Sequence, residues 1–234
     1  MDSPFVWRDE HIAADLGPAR VLFTTRRGGV STDAYASLNL GTNTDDDATK
    51  VAENRERLAA MTGAGLALGR QVHAAHVHRA TQPGHGGDAD GQVTASCGIA
   101  CTVLTADCLP VALIAPAGVA MLHAGWRGLA AGVLEEGIRA LGAEGSITAV
   151  IGPGADRCCY EVGDEVRAAF AEEADDVRDG SNLDLPLIAQ RRLHRAGVTE
   201  TLHTRVCTMC DARFFSHRRD GGVTGRQAGV AWLT

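Results

Sequence analysis

In the stretch TADCLPVALIAPAGVAMLHAGWRG, residues 105–128, a cysteine and a histidine stand on either side of a tight turn. Pro116-Ala117 fits a two-residue hairpin loop. With Ala115 opposite Gly118, Val111 falls opposite Leu122 and Pro110 opposite His123. Cys108 then lies two residues beyond His123, and a bend at Leu109-Pro110 would bring sulfur and imidazole to one centre. The following AGWRGLAAG opens a helix, so its first amides and positive dipole end point back to the same place, with Arg127 in that turn. Thiol and imidazole together suit either metal ligation or nucleophilic catalysis.

The other cysteines do not share this standing. The chain has seven. An odd number, behind an acidic start without an apolar run, points to reduced thiols in the cytoplasm. Cys97, Cys101, Cys158 and Cys159 are expected to pack in the interior, as free cysteines commonly do. Cys207 and Cys210 form a Cys-x-x-Cys pair, and the sequence offers no evident second pair to complete a four-cysteine zinc site. Net charge is −7, so no overall field attracts nucleic acid or anionic lipid. No stretch reaches the roughly 18 apolar residues of a membrane span.

The elements that must position these groups can be read coarsely. Val21–Thr25 reads as a strand entering a Gly-rich turn, and Ala48–Met61 as a helix with acidic residues before it and Gly63 after it. RQVHAAHVHRA alternates like a strand, which would put His76 and His78 on the face opposite His73. GIACTVLTADC and VALIAP are apolar throughout, as strands buried on both faces are. GLAAGVLEEGIRALGAE carries Leu129, Val133, Leu134, Ile138 and Leu141 at helical spacing. ITAVIGPG is a further buried strand, GDEVRAAFAEEA a helix, NLDLPLIAQRRLHRAG a helix opened by Asp184 and Pro186, and GVAWLT a closing strand. His85 falls in a loop, and His194 and His203 read as solvent-facing. Hairpins mixed with strand–helix units predict an α/β fold with mixed sheets.

FTTRRGGVS, SLNLG, RQVH, LTADCLPV, HAGWRG, IGPG…CCYEVG, LDLP and FFSHRRDGGVTGRQAGVAWL occur in order over nearly the whole chain. Together they resemble the laccase-domain family of bacterial polyphenol oxidases, also described as purine nucleoside phosphorylases and linked to peptidoglycan editing. The resemblance implies one α/β/β/α layered domain over residues 1–234. It also implies a metal site made by His73, Cys108 and His123, the residues at the family's ligand positions. The sequence departs from the family at DADGQVT, where an apolar pair more often follows Ala-Asp; a loop or strand edge is expected there. Two imidazoles and a thiolate leave zinc a fourth position for water, whose pKa falls towards ~7.

What the resemblance implies for function is zinc-dependent phosphorolysis of adenosine, inosine and S-methyl-5′-thioadenosine to free base and (methylthio)ribose 1-phosphate. Adenosine deamination through the metal-activated water accompanies it. Arg26 beside Gly28-Gly29, Arg127, and Arg226 in TGRQ are candidates for phosphate; Asn39 and Asp107 are candidates for hydroxyl or base contacts. The expected partners are purine nucleosides and phosphate, with no nucleic acid or membrane, in a monomer or dimer. Three rivals remain. Copper can occupy the same donors and support phenol oxidation, although only one His-x-His pair, His76-Val77-His78, is present. Cys108 with His123 as base could form a metal-free hydrolase acting on peptidoglycan precursors. A catalytically silent binding module is disfavoured by the clustering of reactive groups.

Overall fold

A computed structural model describes residues 4–142 and 145–234, so the end of the helix expected through Ala143 and Glu144 lies outside the described residues. In chain order the elements are β1 (Val6–Arg8), β2 (His11–Leu16), β3 (Ala19–Phe23), α1 (Ala48–Thr62), β4 (Gly65–Arg70), β5 (Val77–Arg79) and β6 (Gly84–Asp88). Then come β7 (Gly91–Thr94), β8 (Ile99–Thr105), β9 (Leu109–Ala115), β10 (Gly118–Ala124), α2 (Trp126–Ala130), α3 (Val133–Leu141) and β11 (Thr148–Ile151). The remainder are α4 (Asp164–Ala169), β12 (Arg178–Asp179), β13 (Asn182–Leu183), α5 (Leu185–Arg195), β14 (Glu200–His203) and β15 (Gln227–Leu233).

Two mixed sheets dominate, in the orders β1-β2-β3-β15-β8-β4-β6 and β14-β11-β9-β10-β7-β5. One core layer packs α1, through Leu58, on the outer face of the first sheet. A second lies between the sheets and joins Ile12, Phe23 and Val103 to Met121 and Val150. A third packs α3 and α5 on the second sheet through Leu134, Leu141, Ile188 and Leu193. The layering is therefore α/β/β/α. Along β10, Val119 and Met121 enter the inter-sheet core while Ala120, Leu122 and Ala124 enter the helical one. That two-sided burial is why β8, β9 and β10 read as continuous apolar runs.

The hairpin register is as anticipated: Ala115 pairs with Gly118, Val111 with Leu122 and Pro110 with His123. The bend lies elsewhere. Leu109 and Pro110 pair regularly with Ala124 and His123, and the chain turns instead at Asp107, with φ 90°. The long helix expected after His123 is split into α2 and α3, because Gly132 takes φ 90°, a conformation that costs glycine little and stops helical propagation. RQVHAAHVHRA is not one strand. Residues 71–76 form a loop between β4 and β5.

The Gly-rich turn and SLNLG are tied to α1 by Asn54. This buried amide accepts from Val30 N at 2.9 Å and donates to Ser31 Oγ, Ser37 O and Asn39 O at 2.9, 3.1 and 2.9 Å. Gly29 must be glycine here, since a Cβ would stand 2.3 Å from Ser37 O and 2.5 Å from Asn54 Oδ1. Asn54→Ala strands several buried polar groups at once. It should lower unfolding free energy by roughly 2–3 kcal/mol, read from urea denaturation; an unchanged midpoint would remove Asn54 as the tie.

Candidate metal centre

His73, Cys108 and His123 come together. Their ligand atoms lie within 4.8 Å of one another, with Cys108 Sγ 4.0 Å from His73 Nε2 and the two imidazole rings edge-on at 4.8 Å. Each arrives from a different segment: the 71–76 loop, the turn before β9, and the end of β10. Cys108 is half-buried, His123 buried and His73 exposed.

The residue that organises them is Asp90, which the sequence reading did not single out. Its Oδ1 accepts from His123 Nδ1 at 2.9 Å and from His73 N at 2.9 Å. Its Oδ2 accepts from Val72 N at 3.1 Å and Ala74 N at 2.9 Å. Three successive amides converge on one carboxylate, which an extended strand cannot arrange because its amides alternate in direction. That is why RQVHAAHVHRA breaks, and why His73 takes φ 58°. Gln71 fixes the start of the loop by donating to Leu104 O at 2.7 Å and accepting from Leu104 N at 2.8 Å. With Nδ1 engaged, His123 keeps Nε2 free for a ligand, the arrangement carboxylates impose on metal-binding histidines. The signal available in sequence was the Asp of DADGQVT. The expected edge is instead the strand β7, lying between β10 and β5.

Electrostatics pair the donors. Burial works against the Cys108 thiolate, but His123 and His73 more than offset it and hold the thiol at about 6. Burial likewise opposes charge on His123, yet Cys108 and Asp90 raise it to about 9. Asp90 stays below the usual carboxylate range despite burial because His123 and the loop amides stabilise its anion. The space between the donors is kept by Gly125, where a Cβ would stand 2.8 Å from Cys108 Sγ and 3.2 Å from His73 Cδ2. Two nitrogens and one sulfur around a cradle closed by any side chain fit a single zinc or copper ion.

The three residues line a cavity of about 550 Å³ together with Asp107, Trp126, Tyr160 and Arg226. Asp107 is buried and held by Thr208 Oγ1 at 2.7 Å and Arg218 N at 2.8 Å. Tyr160 is kept as a neutral phenol, pushed up to about 12 by burial and by the charges of Cys108 and Asp107. Other candidates fall elsewhere. Arg26 donates to Ala36 O at 2.7 Å and stacks 4.7 Å over Phe215, outside the cavity lining. Asn39 is buried and spent on Thr44, Asp46, Gly41 N and Arg226 N. Arg127 is exposed, 4.2 Å over Trp126 and 3.4 Å from Glu165, also outside the lining. Arg55, not anticipated, lines the cavity beside Arg226. His85 lines it too, from β6 rather than a loop. His203 is half-buried, not solvent-facing, and burial lowers it to about 4.

The remaining cysteines divide differently from expectation. Cys101 does pack in the inter-sheet core, but Cys97 is exposed. Cys158 and Cys159 are not core residues; they meet Cys207 and Cys210 in one four-sulfur cluster, so the second pair that sequence spacing hid does exist. Adjacent cysteines in one loop and a Cys-x-x-Cys about fifty residues later carry no common local pattern. Only the pairing of β11 with β14 brings them together.

Residues 20–234 match a family model described as multi-copper polyphenol oxidoreductase laccase. A Pseudomonas aeruginosa protein named purine nucleoside phosphorylase is 42% identical over 231 residues, covering 92% of this chain and 95% of that protein. Escherichia coli purine nucleoside phosphorylase YfiH is 40% identical, covering 90% and 92%. Among solved structures, a Neisseria meningitidis protein superposes with TM-score 0.86 at 37% identity, covering 95% of this chain and 98% of its own. The Bacillus licheniformis protein YfiH superposes with TM-score 0.90 at 27% identity over 100% of both chains.

Gly125 has φ −69°, which alanine adopts freely, so Gly125→Ala tests the cradle without backbone strain. It should keep the fold but weaken zinc binding about tenfold or more, the scale on which changes around a metal's ligands act; unaltered metal content would overturn the assignment. In metal-free protein the Cys108 thiolate forms as pH rises through about 6. Iodoacetamide should therefore alkylate it well below the range of an ordinary thiol near about 8.5, and a midpoint there would dissolve the ion pair.

Proposed function

The chain belongs to the multi-copper polyphenol oxidoreductase laccase family, and on that premise we propose that it is a zinc-dependent purine nucleoside phosphorylase carried by one domain over residues 1–234. Adenosine, inosine and S-methyl-5′-thioadenosine are its proposed substrates, with adenosine deamination as a second activity. The observation that carries the reading is one cavity holding both the His73–Cys108–His123 donor set and two half-buried guanidinium groups, Arg55 and Arg226. The names of the relatives agree with it.

Burial pushes the Arg55 guanidinium below its usual range, with no acidic neighbour among the described residues offsetting it. Burial does the same to Arg226, and Cys108 and Asp107 only partly restore it. Both residues meet one segment: Arg55 Nε donates to Leu40 O at 2.9 Å, and the main-chain carbonyl of Arg226 accepts from Leu40 N at 3.0 Å. Gly41 lets Arg226 pass, since a Cβ there would stand 2.8 Å from Arg226 Cγ. Buried cations of this kind favour an anionic partner, and phosphate matches guanidinium geometry.

In phosphorolysis a phosphate oxygen bonds to C1′, the C1′–N9 bond breaks, and the electron pair leaves on the purine, which takes up a proton. Arg55 and Arg226 hold and orient the phosphate so that the attacking charge is not left in water. Asp107, whose oxygens retain accepting lone pairs, is available to a ribose hydroxyl or a purine N–H. Trp126 and the neutral Tyr160 offer apolar faces to the base, and the Tyr160 hydroxyl can donate to it. His73, Cys108 and His123 would hold zinc, which would supply Lewis acidity and an activated water for the deamination. Asp90 keeps the His123 ring oriented throughout.

One observation favours a second reading. Asp90, His123 and Cys108 stand in the order acid–imidazole–thiol, the arrangement of a cysteine nucleophile with its base and orienting group. The two readings part at His73, needed for metal but not for a thiol nucleophile. His73→Ala should empty this centre of its metal and remove deamination as thoroughly as Cys108→Ala, because residues acting as one unit fail together. Near-normal turnover in His73→Ala would favour the cysteine hydrolase.

For phosphorolysis, omitting phosphate should stop release of hypoxanthine from inosine. Arg226→Ala should raise the KM for phosphate by about 10- to 100-fold, the worth of a charged hydrogen bond. Base release that continues without phosphate would make the enzyme a hydrolase.

A further inference from the structure

Cys158 and Cys159 lie in the loop that follows β11, and Cys207 and Cys210 in the loop that follows β14. These two strands are parallel neighbours, so both loops leave the same end of the sheet side by side. They are also joined beyond the strands. Gly154 N donates to Val206 O at 3.2 Å and Thr208 N to Gly154 O at 3.0 Å. A tight turn wraps the second pair, with Cys210 N and Asp211 N both donating to Cys207 O, at 3.2 and 3.0 Å.

The four sulfurs form a compact cage. Separations are 3.5 Å for Cys158–Cys159, 3.5 Å for Cys158–Cys210, 3.3 Å for Cys159–Cys207 and 3.4 Å for Cys159–Cys210. All four lie within 4.8 Å of one another. A tetrahedron of thiolates about 2.3 Å from a central zinc has edges of about 3.8 Å, and the four separations of 3.3–3.5 Å lie within about half an ångström of that edge. An iron–sulfur cluster needs a wider cage, because inorganic sulfide and several irons separate its thiolates. Disulfide pairing does not describe it either, since Cys159 has three sulfur neighbours at nearly equal distance rather than one favoured partner.

We propose that Cys158, Cys159, Cys207 and Cys210 form a metal site of their own that holds one zinc ion as a closed tetrathiolate. Four thiols give up their protons to solvent as the ion binds, and no position is left for water or substrate, which makes the site structural rather than catalytic. Cys158 and Cys210 are exposed, so the ion can enter without opening the fold. Arg219 braces the second loop, donating to Thr208 O at 2.8 Å.

The cage has a mechanical consequence. Thr208, inside the Cys207–Cys210 turn, donates its hydroxyl to Asp107 Oδ1, and Ala155 N donates to Asp107 O at 2.7 Å. Both sulfur-bearing loops thus grip the residue before Cys108. The proposal shares no residue with the His73–Cys108–His123 centre and does not depend on the reaction assigned to it.

The test is metal content and sulfur coordination in the full-length protein, loaded with zinc under reducing conditions and desalted. In the His73→Ala/Cys108→Ser double variant, one zinc per chain should persist, and X-ray absorption should show an all-sulfur shell at about 2.3 Å. In Cys207→Ser/Cys210→Ser that shell should vanish while one zinc with mixed nitrogen and sulfur neighbours remains. Should the serine pair fail to fold, cobalt titration of wild-type protein decides. Tetrahedral cobalt with the intense charge-transfer bands of four thiolates supports the site, and bands of one thiolate alone overturn it. The proposal is also overturned by His73→Ala/Cys108→Ser protein that is metal-free with the four cage thiols titratable alongside the exposed Cys97. An intact mass short of one or two hydrogen pairs, the mark of disulfides, overturns it as well.

Discussion

The buried carboxylate of Asp90 is the group on which the site's geometry depends. It carries a charge in a fully buried position, which is affordable only when its lone pairs are matched by donors. Four donors meet it: three consecutive loop amides and the His123 ring. Its own backbone is engaged too, with Asp90 O accepting from His123 N at 2.7 Å and Asp90 N donating to His76 O at 2.8 Å. The loop cannot relax into a strand without taking three of that anion's four donors away. The left-handed backbone at His73, a strain of order 1 kcal/mol or more, is held in place by this requirement.

The cavity lies where the seam between the two sheets ends. Within the seam the contacts are apolar and tight: a Cβ on Gly152 would stand 2.4 Å from the Phe23 ring, and one on Gly229 2.5 Å from Pro110 Cβ. At its end the strands hand over to loops from both sheets, and polar groups replace the apolar core. Arg70 at the end of β4, Leu104 near the end of β8, Cys108 before β9 and His123 near the end of β10 all face the opening. Rigid strands set the positions; short loops supply the chemistry. Ligand sites in layered α/β folds gather at strand ends for this reason.

Much of this was legible in the sequence because it rests on local rules. The hairpin register followed from the turn at Pro116-Ala117, and α1 followed from its caps: Asp47 accepts from Thr49 N at 2.8 Å and Gly63 takes φ 64°. Cys108 and His123 were readable from that register, and His73 from motif resemblance. What escaped depended on groups far apart in sequence. Asp90 looked like one acid among several because its partners are backbone amides, which leave no mark on residue type. Arg26 looked like an anion ligand because a Gly-rich turn beside arginine resembles one; the turn is instead closed around Asn54, and Arg26 braces the main chain. The four-cysteine cluster was hidden because two parallel strands, not sequence spacing, unite its halves.

Cysteine thus serves two different ends in one molecule, and the surroundings decide which. Around Cys108 the partners are two imidazoles, that of His123 oriented by a carboxylate, and the three donors face a cavity. In the cage the partners are other sulfurs, carried by two loops that run side by side. The two arrangements fix opposite flanks of the same cavity. Asp90 sets the flank that carries His73 and His123, through hydrogen bonds that need no metal. The loops of the sulfur cage grip Asp107 and so set the flank that carries Cys108. Disturbing the cage would displace Cys108 relative to two histidines that stay where Asp90 holds them. A shift of one ångström there is large beside metal–ligand bonds of about 2.0–2.3 Å, so the geometry of the proposed open centre would depend on the proposed closed one.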